Sequence, residues 1–129
     1  MSHHSKGIFS RLFDLFRDSL IDERLEADLY PITENSQSQD KGEIEFYRHT
    51  QGHNSIKIKI NSDLDVPKGD KIYLFFNKVL YLEMKVTGKK IRHSMNTKAG
   101  DSIPELEVGD QIEIHYHGNP ILQGKFEKD

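Results

Sequence analysis

The sequence contains no cysteine. That absence excludes a disulfide framework, a zinc knuckle, a thiol nucleophile and an iron–sulfur site. A basic excess is also missing, because 18 Lys and Arg residues against 21 Asp and Glu residues give a formal net charge of -3. The chain therefore lacks the excess of basic residues expected of a nucleic-acid-binding protein, and we predict no nucleic-acid partner.

Long apolar runs are absent from the opening residues, where Arg11, Asp14 and Arg17 interrupt the hydrophobic stretch. This pattern predicts neither a signal peptide nor a membrane span, so the cytoplasm is the expected location. Catalytic motifs are equally scarce, since the sequence has no G-x-S-x-G and no glycine-rich phosphate loop. We therefore expect no catalytic residues and no cofactor.

The first positive pattern is an amphipathic one over residues 7–20. At 3.6 residues per turn the apolar side chains there fall within an arc of about 160°, which predicts an α-helix. Strand periodicity replaces the helical one after Asp22, so we divide the chain into a helix at 1–22 and a β domain at 23–129. The apolar stripe consists of Ile8, Phe9, Leu12, Phe13, Leu15, Phe16 and Leu20.

Two roles are open for this helix. It could pack on its own sheet, or it could dock on a second copy or a protein partner, since so apolar a surface is a liability on a monomer. A membrane is the least favoured surface, because Arg11 and Arg17 are balanced by Asp14 and Asp18. The predicted docking residues are Ile8, Phe9, Leu12, Phe13, Phe16 and Leu20.

From Arg24 onward the chain alternates between strand-like segments and turn signals. SIKIKI, for example, places Ile56, Ile58 and Ile60 on one side and lysines on the other. About eight short strands of this kind predict an antiparallel β-sandwich or a flattened barrel. The expected strands lie at 24–31, 43–49, 55–61, 71–77, 79–86, 90–97, 111–117 and 121–127.

One hairpin pattern is used twice. GDKIYLFF at residues 69–76 and GDQIEIHY at 109–116 match with an offset of 40, and an apolar strand follows each. We expect pseudo-symmetry within one domain, with a slightly longer turn in the second hairpin that aligns Val79-Leu80 with Ile121-Leu122.

His115 and His117 are the candidate metal ligands. Gly109, five residues, and then His115-Tyr116-His117 resemble the opening half of the cupin metal signature, but Ile121 and Leu122 stand where that signature has glutamate. Strand alternation sends both histidines to a polar face expected to contact water, so surface histidines without metal are the favoured interpretation.

If metal did bind, Glu113 would be the nearest carboxylate, with His93 or His49 as third ligand. Asp63, Asp65 and Asp70 resemble a calcium loop in composition only, since they lack its spacing. A surface turn rich in aspartate is the expected structure there.

The order of features from Leu25 onward resembles a group of small bacterial all-β domains distantly similar to the chordin-type domain. The segments that carry the resemblance are LEADLYP, DKGEIEFY, SIKIKI, DVPKGDKIYLFFN, GDSIPELEVGDQIEI and ILQGKF. It implies a β-sandwich with a binding or structural role and no catalytic residues. Asn77-Lys78 departs from the Asn-Gly that such relatives carry in the central turn.

The sequence thus predicts a non-enzymatic structural or interaction module that self-assembles or docks on a partner through its amino-terminal helix. The alternative is a metal-dependent cupin-like enzyme, or a metal-binding protein, that uses His115 and His117.

Overall fold

The computed structural model describes residues 21–32 and 39–129. Regular structure there is almost all β-strand, with one short 3-10 turn at Thr97–Ala99. No helix in this part of the chain is long and apolar enough to cross a membrane. The strands are β1 (Ile21–Pro31), β2 (Gly42–His49), β3 (Asn54–Ile60), β4 (Lys71–Phe76), β5 (Val79–Lys85), β6 (Ile91–Asn96), β7 (Gln111–Tyr116), β8 (Asn119–Lys125) and β9 (Glu127–Lys128).

The strands form one antiparallel sheet in the order β5-β4-β7-β8-β1-β2-β3-β6, with the short β9 added to β1. The sheet curls into a nearly closed, barrel-like form. Its two end strands, β5 and β6, meet through side chains, since the Tyr81 hydroxyl donates to Met95 Sδ at 3.4 Å. The predicted all-β class, with about eight strands, is confirmed.

The core fills the inside of this curled sheet. Alternation in β3 buries Ile56, Ile58 and Ile60 completely, as predicted from SIKIKI. Leu106, from the long connection between β6 and β7, is 1% exposed and belongs to the same core. The buried apolar side chains are therefore contiguous within the described part of the chain.

The boundary between the predicted helix and the first strand is corrected. Ile21 and Asp22 belong to β1, where Ile21 pairs with His49, so the boundary after residue 22 was placed too late. Long-range pairing with β2 decides the conformation of these two residues, which local periodicity could not. Residues 7–20 and all six predicted docking residues lie outside the described residues. β1 ends at Pro31 as predicted, because proline has no amide hydrogen to donate.

The repeated hairpin is confirmed. β7 and β8 reproduce the register of β4 and β5 with a constant offset of 40, so that Leu74↔Leu82 corresponds to Ile114↔Leu122. The glycine that precedes each hairpin has a positive φ, +99° at Gly69 and +94° at Gly109, which other residues rarely adopt.

A local two-fold axis relates the two hairpins. Leu74 of β4 pairs with Ile114 of β7, and these two residues are also equivalent in the repeat. The constant offset makes Val79 equivalent to Asn119, so the second turn is not longer than the first, and the predicted alignment of Val79 with Ile121 was wrong.

Each hairpin contains a β-bulge at an equivalent position. Leu80 pairs with Phe75 and Leu82 with Leu74, which leaves Tyr81 as the extra residue, and Ile121 is its counterpart in β8. A bulge shifts strand alternation by one residue. Leu80 therefore points outward and is 55% exposed, whereas strict alternation would place it on the same face as Leu82.

Candidate functional site

The outer face of the two hairpins carries an apolar surface that we call the aromatic patch, formed by Tyr73, Phe75, Leu80 and His115. The Phe75 and His115 ring centroids lie 4.2 Å apart. Tyr73 pairs with His115 across β4 and β7, and Phe75 pairs with Leu80 across β4 and β5. The internal two-fold symmetry thus brings residues of both hairpins onto one surface.

The rim of the aromatic patch is acidic. Val79 is 68% exposed but does not belong to this rim, because it pairs with the inward-facing Phe76 and leaves β5 on the opposite face from Leu80. Glu83 pairs with Tyr73, and Glu113 pairs with Phe75. Leu80 is the exposed apolar member of the aromatic patch, whereas Tyr73, Phe75 and His115 are partly buried.

His115 is more enclosed than the sequence predicted. Its Nε2 lies 3.0 Å from Glu113 Oε1, and the two side chains are only 20% and 21% exposed. Phe75 packs against the imidazole on the outer face predicted from strand alternation, so this part of β7 is only partly exposed to water.

His117 does not join His115 in a cluster of metal ligands. It lies in the turn between β7 and β8 with a φ of 52°, and its ring stacks on Tyr116 with centroids 4.1 Å apart. The suggested third ligands, His93 in β6 and His49 in β2, are not on strands adjacent to β7, whose neighbours are β4 and β8. Within the described residues the predicted histidine site therefore reduces to the single pair Glu113 and His115.

The Asp-rich connection between β3 and β4 does not gather its carboxylates. Asp63 accepts a hydrogen bond from Lys41 Nζ at 2.8 Å, whereas Asp70 accepts one from the Tyr116 hydroxyl. These carboxylates serve separate partners, as expected for a surface turn.

A polar groove of about 580 Å³ lies on the outer surface where β1 diverges from β8. Its walls include Glu26 and Asp28 from β1, Glu113 from β7, and Gln123 and Lys125 from β8. β1 joins β8 only at its end, where Tyr30 pairs with Gln123, and the divergence of the two strands opens the groove.

Glu26 and Asp28 also approach Glu43 of β2, and oxygen atoms of the three carboxylates all lie within 4.8 Å of one another. Oxygen ligands of this type suit Mg²⁺ or Ca²⁺ in proteins. Acidic groups also gather on protein surfaces without any ion. Protonation of one of the three carboxyl groups reduces the repulsion among them.

The hydrogen bond between the Glu26 and Glu43 carboxyl groups raises the pKa of Glu26 to about 7. Partial burial and the charges of Asp28 and Asp129 act in the same direction. The pKa of Asp28 is also raised, first by burial and then by the charge of Asp40. These shifts favour the protonated form of Glu26 up to about pH 7.

We expect the folded protein to lose stability between about pH 4.5 and pH 7. The unfolded chain releases the Glu26 proton near its ordinary pKa of 4.5, whereas the folded protein retains it to about 7. The free energy of unfolding should fall across this range. Above about pH 7 Glu26 should contribute no further change, because it is then ionised in both states. Glu26→Gln should flatten the profile and stabilise the protein at pH 8, as measured by urea denaturation at several pH values.

Asp63→Asn is the matched control with the opposite sign. The hydrogen bond from Lys41 lowers the pKa of Asp63, so its ionised form favours the folded state. The control should slightly destabilise the protein at pH 8. If Glu26→Gln left the pH dependence of the free energy of unfolding unchanged, the raised pKa of Glu26 would be contradicted.

Sequence reasoning missed this carboxylate group. Glu26 and Asp28 alternate with buried residues in β1, and Glu43 does so in β2, so each could be recognised as outward-facing. Their meeting depends on the register that pairs Asp28 with Glu43, which alternation within a single strand does not specify.

No protein-family model, curated protein or solved structure matches this chain.

Proposed function

We propose that this protein is a non-enzymatic interaction module in which a rigid β domain carries an amino-terminal docking helix. Self-assembly is the favoured form of that interaction, and docking on another protein is the alternative. The proposal retains the predicted amphipathic helix over residues 7–20 and the flattened barrel as the form of the β domain.

The contiguous core of the described residues is the observation that carries the proposal. Leu25, Phe46 and Phe126 are fully buried, and the buried apolar side chains of the described ranges form one cluster. The predicted apolar stripe over residues 7–20 would then be covered by contact with another surface.

Exposed apolar side chains support a binding role. None of the polar or charged residues within the described ranges is buried. Large exposed apolar side chains, including Val79 and Leu80, favour contact with another surface.

Deletion of residues 1–20 tests the proposal. We expect the full chain to form an oligomer at micromolar concentration and the deleted chain, which begins at Ile21, to be a folded monomer. Analytical ultracentrifugation would give the masses, and circular dichroism would verify the β content.

Full-length variants provide the matched comparison. Phe13→Asp with Phe16→Asp should abolish association, because two charges enter the stripe, whereas Arg11→Glu on the polar side should not. An oligomeric state that is unchanged after both the deletion and the double substitution would overturn the proposed function.

A further inference from the structure

We propose that the polar groove between β1 and β8 binds a neutral oligosaccharide, with one sugar ring stacked on Tyr30. Side chains of β1, β7 and β8 would bind the hydroxyl groups of the sugar. This site lies on the described β domain and does not involve residues 7–20. It therefore goes beyond the proposed function, and its test is separate from that of self-association.

The groove has the size of a small-molecule site. Its volume of about 580 Å³ falls inside the range of about 300–1,000 Å³ that is typical of ligand pockets. Three strands supply its walls, since the lining residues include Asp28 of β1, Glu113 of β7 and Gln123 of β8. The binding groups are thus carried by a sheet, which holds them in place before a ligand arrives.

A row of three side chains crosses the groove at the level of Tyr30. Tyr30 pairs with Gln123 across β1 and β8, and Gln123 pairs with Glu113 across β8 and β7. Each of the three follows a buried residue of its strand and faces outward. With neighbouring strands about 4.8 Å apart, the row spans about 10 Å. It places an aromatic ring at one end and two hydrogen-bonding groups beyond it, which suits a chain of sugar rings lying across the strands.

Tyr30 provides the surface for stacking. It is 45% exposed, and it is the aromatic residue among the described residues that line the groove. The C–H groups on one face of a sugar ring are apolar, and an aromatic ring covers them while its polar tip stays free to bond. The charge of Asp28 raises the pKa of Tyr30 above its ordinary value, so the hydroxyl is protonated at neutral pH and can donate.

The polar groups of the groove match the hydrogen-bonding needs of sugar hydroxyls, which both donate and accept. The groove contains acceptors in Asp28 and Glu113, a donor in Lys125 and an amide that does both in Gln123. A hydrogen bond of 3.0 Å between Glu113 Oε1 and His115 Nε2 holds the Glu113 carboxylate in place. A side chain that is already fixed loses less entropy when a ligand binds.

Charge and polarity favour a neutral, hydroxyl-rich ligand over other classes. The described lining residues include five acidic residues and two lysines, so an anionic polymer would be repelled. Ile112 also lines the groove but is only 1% exposed, so it offers almost no surface to an apolar peptide. A divalent cation would use the carboxylates and leave Tyr30 and Gln123 without a role.

Titration of the full chain with neutral oligosaccharides tests the proposal. The probes are cellohexaose, maltohexaose, laminarihexaose and N-acetylchitohexaose, and NMR measures the amide chemical shifts. We expect at least one probe to bind with a millimolar or tighter Kd and to shift the amides of Tyr30, Gln123 and Glu113. Tyr30→Ala should weaken that binding about tenfold, because it removes the stacking surface, whereas Tyr30→Phe should retain most of it.

Tyr73→Ala is the matched control, because Tyr73 lies on the outer face of β4 in the aromatic patch and is not among the groove residues. It should leave the affinity for the saccharide unchanged, and thermal unfolding would verify that each variant folds. Tyr30→Ala should also keep the oligomeric state of the original chain, which separates this test from that of the proposed function.

Three results would overturn the oligosaccharide site. The first is the absence of shifts in the groove amides with all four probes. The second is a Tyr30→Ala variant that binds the saccharide as tightly as the original chain does. The third is a set of shifts with calcium chloride and none with the saccharides, which would assign the groove to a cation.

Discussion

Replacement of Phe126 by alanine is expected to lower the free energy of unfolding by about 3–5 kcal/mol. Phe126 follows β8 and is 0% exposed, and its ring centroid lies 6.0 Å from that of Phe76. Its backbone is fixed on both sides, because its amide donates to the Asp110 carbonyl and its carbonyl accepts from Gly109. The side chain has no alternative position, so truncation should leave a cavity. Chemical denaturation gives the measurement.

The same substitution at Phe75 is the control. Phe75 is only partly buried, and it lies on the outer face against His115. Its truncation should lower the free energy of unfolding by about 1–2 kcal/mol, because folding buries less apolar surface at Phe75 than at Phe126. Equal losses for the two variants would show that Phe126 is not the better packed of the two residues.

Replacement of Gly124 by alanine is expected to destabilise the protein by about 3 kcal/mol, the upper part of the range for an overpacked site. A Cβ at this position would overlap the Asp28 carbonyl oxygen and lie 3.1 Å from Leu29 Cδ2. The carbonyl belongs to the backbone of β1 and cannot rotate away, so β1 and β8 would have to separate. Hydrogen exchange should then accelerate at the Ile32 amide, which donates to the Ile121 carbonyl at 3.1 Å.

Gly52→Ala is the control that distinguishes the overlap with the Asp28 carbonyl from the loss of stability expected when any glycine is replaced. Gly52 has a φ of +94°, and no atom lies within 4 Å of the position that a Cβ would occupy, so its replacement meets backbone strain alone. We expect a cost of about 1–2 kcal/mol there and no change at the Ile32 amide. A Gly124 variant as stable as the Gly52 variant would contradict a close approach of β1 to β8.

The strand pattern was predictable because it depends on near neighbours in sequence. Alternation identified the inward residues of β3, and the offset of 40 between the hairpins held along their full length. The outward turn of Leu80 was not predictable, since the bulge at Tyr81 adds one residue without any proline or glycine to mark it. The enclosure of His115 by Phe75 was likewise hidden, because the two residues are 40 positions apart.

The sequence by itself determined the all-β class, the inner and outer sides of most strands and the duplicated hairpin. These properties follow from local periodicity and turn residues, which act over a few positions. The two hairpins form a four-stranded unit with β5 at one edge and β8 at the other, and only the tertiary structure decided that β1 pairs with β8. β8 carries Gly124 where β5 carries Met84, and the absence of a side chain lets β1 approach β8. The register of β1 on β2 likewise brings Glu26, Asp28 and Glu43 together, because strand pairing joins segments that are distant in the chain.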